Sequence, residues 1–153
     1  MYGHSSTVTT SGIFVCGGTS SGNDRKDCYE YRSSSNSWTS MPSMTTKRHS
    51  FDMIYLKGKV YAVGGVEGSG SKNSMEIFDS TTMSWTKQSI PLSVYGHCIT
   101  QLSANQFILI GGFSRTVSKH VLTKNISIKQ YHLLHFTTQK ISLTSYIFCI
   151  LGS

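Results

Sequence analysis

Histidines, cysteines and carboxylates are the residues through which this 153-residue chain could do chemistry, and their spacing decides how much. His132-Leu133-Leu134-His135 separates two imidazoles by two residues, which can serve zinc, but no third ligand lies nearby. His4, His49 and His97 each precede an apolar run, so their recurrence reads as a repeat position with a structural or rim role. Cys16, Cys28, Cys98 and Cys149 show neither metal-ligand spacing nor a disulfide framework. Cys16 and Cys28 fall within strand-like runs and read as reduced, apolar core thiols. Gly64, Gly65, Gly68 and Gly70 imitate a phosphate-cradling loop, yet they lead into a strand and lack the Lys-Ser/Thr of such loops. No Gly-x-Ser-x-Gly elbow occurs. Seven acids in the whole chain disfavour hydrolysis by paired carboxylates. Asn125-Ile126-Ser127 is a glycosylation sequon by pattern only, since MYGHSSTVTT lacks the basic and apolar regions of a secretory signal. The residues therefore assign no catalytic group, no metal and no cofactor: the expectation is a protein that is not an enzyme.

The elements that would position any site repeat. KGKVYAVGGVEGSGSKNSMEIFDSTTMSW, residues 57–85, holds an alternating run, a double glycine, a polar loop, a second alternating run and a tryptophan. The same order occurs upstream as GIFVCGG, a loop and CYEYRSSSNSW. Gly17 to Gly64, Tyr31 to Phe78 and Trp38 to Trp85 are each 47 residues apart, and a third pair, Gly111-Gly112, follows at the same interval. Self-similarity at this period means stacked units. Pro42 and Pro91 close the first two units, and no helical periodicity occurs over residues 1–113. Two consecutive glycines after a strand imply positive φ or close approach of another backbone. Trp38, Trp85, Tyr31 and Phe78, at equivalent sites, read as core between adjacent sheets.

Net charge is +7, but residues 1–113 carry nine Lys/Arg against all seven Asp/Glu, and the remainder carries five Lys/Arg and no acid. The excess lies in the tail, so no basic face on the repeats is expected and no nucleic acid is assigned as partner. The longest apolar run, residues 146–151, cannot span a bilayer. A cytoplasmic protein without a membrane partner is the expectation.

The Gly-Gly pair after an apolar strand, the aromatic at Tyr31 or Phe78 and the Trp seven residues later resemble kelch repeats, the blades of a β-propeller. The structural motif would comprise Gly17, Gly18, Tyr31, Trp38, Gly64, Gly65, Phe78, Trp85, Gly111 and Gly112. Arg32 departs from the family pattern where Asp79 keeps the common acidic residue. The resemblance implies an all-β fold: an incomplete propeller of four-stranded antiparallel blades, with repeats at 1–48 and 49–95 and the first half of a third at 96–113. An aromatic near 125 and a Trp near 132 should follow, but Asn125 and His132 stand there, so 114–153 reads as an unrelated tail of uncertain structure. Two and a half blades cannot close a ring. A fragment that self-associates through open blade edges is the expectation.

In similar proteins the loops between second and third strands, and those before first strands, bind partner proteins. By position these are Asp24, Arg25, Lys72 and Asn73 on the longer loops, and Arg48, Ser50, Tyr95 and His97 before the first strands. Arg48 stands out because guanidinium engages carboxylates or phosphates in a bidentate way. The resemblance implies a protein-interaction module, in many relatives part of a BTB-containing substrate adaptor of a cullin-type ubiquitin ligase. Binding to actin or another cytoskeletal filament is the alternative. A fragment of a copper enzyme resembling galactose oxidase is the more distant one, since that site needs a complete ring.

Overall fold

The computed structural model describes residues 1–91, 93–114, 121–125 and 130–134, the last two stretches as backbone strands. Every regular element among them is a strand. The first sheet contains β1 (Tyr2–Val8), β2 (Ile13–Ser20), β3 (Asn23–Asp24), β4 (Cys28–Arg32) and β5 (Ser37–Met41), with β3 a short branch off β2. The second runs β6 (Asp52–Leu56), β7 (Lys59–Val63), β10 (Ser74–Asp79), β11 (Ser84–Ser89), and the loop after β7 carries a small ribbon of β8 (Val66–Glu67) and β9 (Gly70–Ser71). The third is β12 (Tyr95–Ser103), β13 (Gln106–Phe113), β14 (Val121–Asn125) and β15 (Gln130–Leu134). Each is an antiparallel meander, and together they form an open, incomplete propeller.

Local chemistry sets the turns. Lys57 and Gly58 have φ of 51° and 75°, so the β6–β7 hairpin closes through two residues with positive φ, the turn whose twist matches the strands. At the β4–β5 turn Asn36 has φ 48° and its side-chain oxygen accepts a hydrogen bond from the Tyr31 hydroxyl. Asp79 caps the β10–β11 turn by accepting from Thr81 N at 2.9 Å, whereas its counterpart Arg32 bonds Glu30 instead.

The core consists of two slabs between the three sheets. One gathers Phe14, Cys16, Cys28, Met41 and Met44 against Met53, Val60, Ala62 and Phe78. The other gathers Ile54, Leu56, Tyr61, Val63 and Met75 against Phe107 and Leu109. Strand β7 is sandwiched, Val60 and Ala62 on one side and Tyr61 and Val63 on the other, which is why it reads as an unbroken apolar run. The inner strands β1, β6 and β12 lie side by side. Ser50 N donates to Gly3 O and Gly96 N to Ser50 O, each at 2.8 Å, while Asp52 accepts from Ser5 Oγ and Ile99 N.

The double glycines lock one sheet to the next. Gly18 N donates to Arg48 O at 2.9 Å and Gly65 N to Val94 O at 2.8 Å. A Cβ on Gly17 would meet Arg48 O at 2.5 Å, and one on Gly64 would meet Val94 O at 2.3 Å, so a side chain would drive the connecting segment off the sheet. Both glycines also have positive φ.

Three expectations are corrected. Cys16 and Cys28 form a disulfide, because the β2–β4 register sets them directly opposite with Cα atoms 4.2 Å apart. Trp38 is not core: it is 60% exposed and touches Tyr31, while Trp85 is half-buried under the first sheet. The third sheet has four strands rather than two. Its outer pair is formed by 121–125 and 130–134, where β-prone residues extend the ladder without the aromatic and tryptophan landmarks. His135 and Cys149 lie outside the described residues.

Candidate functional site on the loop face

Strand direction sends the loops 20–27 and 64–73 and the segments before β6 and β12 to one face. Backbone bonds brace them: Arg25 N to Gly18 O, Arg48 N to Arg25 O, Lys72 N to Gly65 O and Val94 N to Lys72 O. Between them opens a cleft of about 220 Å³ lined by His49, Ser50, Val66, Ser69, Ser71 and Tyr95. Three hydroxymethyl groups, a phenol and an imidazole around one valine suit hydrogen bonding to an extended peptide more than burial of a large apolar group.

One wall is held electrostatically. Asp24 Oδ1 lies 2.8 Å from His49 Nδ1, and Oδ2 accepts from Gly68 N at 2.6 Å, which joins loops of the first and second sheets. Burial opposes the Asp24 charge, but the Gly68 N–H and His49 outweigh it, so its carboxyl titrates below the usual value. The other wall is Tyr95, stacked on Phe113 with ring centres 5.5 Å apart.

Of the eight residues expected at this face, Ser50 and Tyr95 line the cleft and Asp24 supports it. Arg25 pairs with Asp27 and is half exposed, Lys72 pairs with Glu67 at 2.6 Å, and Asn73 is exposed, all outside the cleft wall. Two residues are buried instead. Arg48 is 0% exposed: its guanidinium donates to Gly64 O, Ser74 O and Glu76 Oε1, at 2.6, 3.3 and 2.7 Å. It turns under the second sheet because Glu76, equally buried, also holds Thr45 N and Thr46 N and needs a cation. Burial opposes the Glu76 charge, but Arg48 and the Thr45 N–H more than compensate, and the carboxyl lies below its ordinary value. His97 is 5% exposed, packed by Val94, Gly64 and Gly112, and burial holds its imidazole at about 4, neutral near pH 7. Sequence reasoning missed Val66, Ser69 and Ser71 as lining and gave His49 only a general rim role. The signal for His49 was its equivalence to Tyr95, one residue before the positive-φ positions Ser50 and Gly96.

A second cavity, about 140 Å³, lies between the first two sheets at the opposite rim, over Phe14 and Phe78 and beside Glu30 and Arg32. Among the described residues no group of three His, Cys, Asp or Glu could hold a metal ion, and no helix is long and apolar enough to cross a membrane.

Comparison with known proteins agrees with this architecture. A family model, the KLHDC2/KLHL20/DRC7 Kelch-repeats domain, matches residues 1–151. The chain is 34% identical over 92 residues to human Kelch repeat and BTB domain-containing protein 8, covering 57% of this chain and 15% of that protein. To mouse Kelch-like protein 7 it is 24% identical over 135 residues, 87% of this chain and 23% of the relative. The chain thus spans less than a quarter of these relatives' length. Among solved structures, that of YjhT superimposes with a TM-score of 0.73 at 13% identity, over 90% of this chain and 52% of that one, a likeness of fold alone. With the diglycine locks, the four-stranded sheets and the family match in agreement, the chain belongs to the kelch-repeat family.

Proposed function

We propose that this chain is a non-catalytic protein-interaction module that receives an extended segment of a partner protein in the cleft between His49, Ser50, Ser69, Ser71 and Tyr95. The observation that carries the reading is the bracing of that cleft: loops with few apolar contacts are fixed by backbone bonds and by Asp24, so little entropy is lost on binding. Arg25 and Asn73, exposed beside it, supply rim contacts.

In its finer form, the module belongs to a substrate adaptor of a cullin-type ubiquitin ligase acting in the cytoplasm. The printed name of the human relative, which joins kelch repeats to a BTB domain, supports that form. A photo-crosslinking residue placed at Ser69 in cells should capture a protein that the same residue at Met83, on the opposite rim, does not. Tyr95→Ala should abolish the capture. Capture that is equal from both rims, or indifferent to Tyr95→Ala, overturns the loop-face reading. Absence of a cullin from complexes of the parent protein overturns the adaptor form alone.

A further inference from the structure

The cavity of about 140 Å³ between the first and second sheets plays no part in the loop-face cleft, and every residue that lines it is among those described. Its origin is a departure from the repeat. At the second junction Leu56 and Phe107 belong to one apolar cluster, with Ile77 packed against it. The positions 47 residues earlier, at the first junction, hold Thr9, Val60 and Glu30. A valine in place of a ring, and two polar side chains in place of leucine and isoleucine, leave space where the second junction has apolar packing.

Glu30 gives that space its chemistry. It stands opposite Phe14 in the β2–β4 register, so its side chain shares the face turned toward the second sheet, and the residue is 3% exposed. A carboxylate so placed costs stability unless it is paired. Ser11 Oγ donates to it, Thr9 Oγ1 donates at 3.2 Å and Arg32 Nε at 2.8 Å. Burial opposes the charge, but these donors outweigh it, and the carboxyl titrates below its ordinary value. Arg32 reaches Glu30 through Nε alone. Among the described residues both of its Nη groups are therefore without a partner, on a side chain 45% exposed at the cavity. Glu30 thus anchors a guanidinium whose outer edge is free, at the position where the chain departs from the acidic residue that Asp79 keeps.

We propose that this cavity binds a free, small aromatic monocarboxylate, its ring on Phe14 and Phe78 and its carboxylate on the Nη edge of Arg32. Phe14 and Phe78, with ring centres 5.2 Å apart, form the floor together with Val60. An apolar cavity of about 150 Å³ holds one benzene ring, so the volume suits a single ring rather than a length of polypeptide. The outer edge of a guanidinium matches a carboxylate with two parallel hydrogen bonds. Charge agrees: Glu30 is offset by Arg32 and Asp79 by Lys59, which leaves Lys57, exposed beside the lining residue Gly58, unbalanced. An amine would meet a Glu30 already supplied by three donors.

Titration of the full chain carrying Trp38→Phe tests the proposal, because Trp85, 5.3 Å from Phe78 and 6.3 Å from Phe14, is then the single tryptophan reporter. 3-Phenylpropionate should shift Trp85 emission saturably. It should bind about tenfold more tightly than 3-phenylpropanamide or 3-phenylpropylamine, the margin of a charge-assisted hydrogen bond. Arg32→Gln should lower the affinity of the acid to that of the amide and leave the amide unchanged. Val60→Phe, which installs the residue that the third sheet carries at this position, should abolish binding of all three. No saturable response to the acid, equal binding of acid and amide, preference for the amine, or an acid preference that survives Arg32→Gln overturns the proposal. Should either variant lose the circular dichroism of the β-fold, the ranking of the three probes on the Trp38→Phe chain decides: the acid first supports the proposal, and any other order overturns it.

Discussion

The first and second sheets follow one strand plan and carry one aromatic motif, yet the motif does different work in each. Phe78 and Trp85 lie 5.3 Å apart between ring centres, Phe14 of the preceding sheet sits 5.2 Å from Phe78, and Trp85 Nε1 donates to Pro42 O at 2.8 Å. Tyr31 and Trp38 keep the pair at 5.4 Å, but among the described residues no further aromatic ring packs on them, and Trp38 lies largely in water. Burial here belongs to the junction between sheets and not to the sheet, as expected for units that complete their core through neighbours.

The largest effect that could break the comparison lies at the charged contact of the first junction. Arg48→Ala should cost about 3–5 kcal/mol in urea unfolding, because it strands the Glu76 carboxylate without a cation inside the slab. Arg48→Met combined with Glu76→Leu should cost less than Arg48→Ala alone, since an apolar pair of similar volume removes the buried charge altogether. A double variant less stable than the single would mean that the acceptors for Thr45 N and Thr46 N, rather than the ion pair, hold the connecting segment.

Next comes the aromatic pair itself. Trp85→Ala should cost about 3 kcal/mol. Trp38→Ala should stay within about 0.5 kcal/mol, as for an exposed surface position. Equal losses at the two tryptophans would return Trp38 to the core and remove the distinction between a covered and an open sheet.

The same distinction explains what was legible in the sequence. Strand order, the diglycine positions and the period of 47 depend on local residue types, and the folded chain uses them: Gly17 and Gly64 stand where a neighbouring carbonyl leaves no room for a Cβ. Exposure of Trp38 depends on what precedes it in space, which its own residue type does not encode. Arg48 and His97 sit on segments that in a bare repeat pattern belong to the rim. Whether such a side chain points outward is set by a distant partner, Glu76 for Arg48, or by the approach of Gly64 and Gly112 for His97. Cys16 and Cys28 are 12 residues apart across a loop, and only the strand register makes them neighbours. Residues 121–125 and 130–134 carry no kelch landmark, yet backbone pairing needs none.

The two junctions also differ in what pH does to them. Burial keeps the His97 imidazole at about 4 in the folded protein, below its ordinary 6.5. The unfolded chain therefore binds this proton first as pH falls. The contribution is fully present above about pH 6.5, declines between there and about pH 4, and is lost below. The integrated loss is roughly 3 kcal/mol for a shift of this size. His97→Leu should flatten the stability profile across that window while leaving acid loss from carboxylates such as Glu76 at lower pH. A profile of unchanged slope would place the sensitivity elsewhere than at the second junction.

The smallest test concerns the bridge in the first sheet. Cys16 and Cys28 are each 1% exposed and pack with Phe14, Met41 and Met44, so after reduction both thiols remain acceptable apolar core. What reduction removes is the constraint on the 12-residue separation, about 2–3 kcal/mol by loop-closure entropy. In a Cys98→Ala background, because Cys98 is disulfide-bonded as well, the chain should therefore lose that amount in reductant, whereas adding Cys16→Ala and Cys28→Ala should give a chain that begins lower and shows no response. Trp85 fluorescence then sharpens the comparison of the two sheets. Because Trp85 lies against Phe14, two residues before Cys16, loosening of the first sheet should raise its access to quencher. Trp38, already in water, should not respond. A parallel change at both tryptophans would show that the bridge holds the whole chain together rather than the single junction it borders.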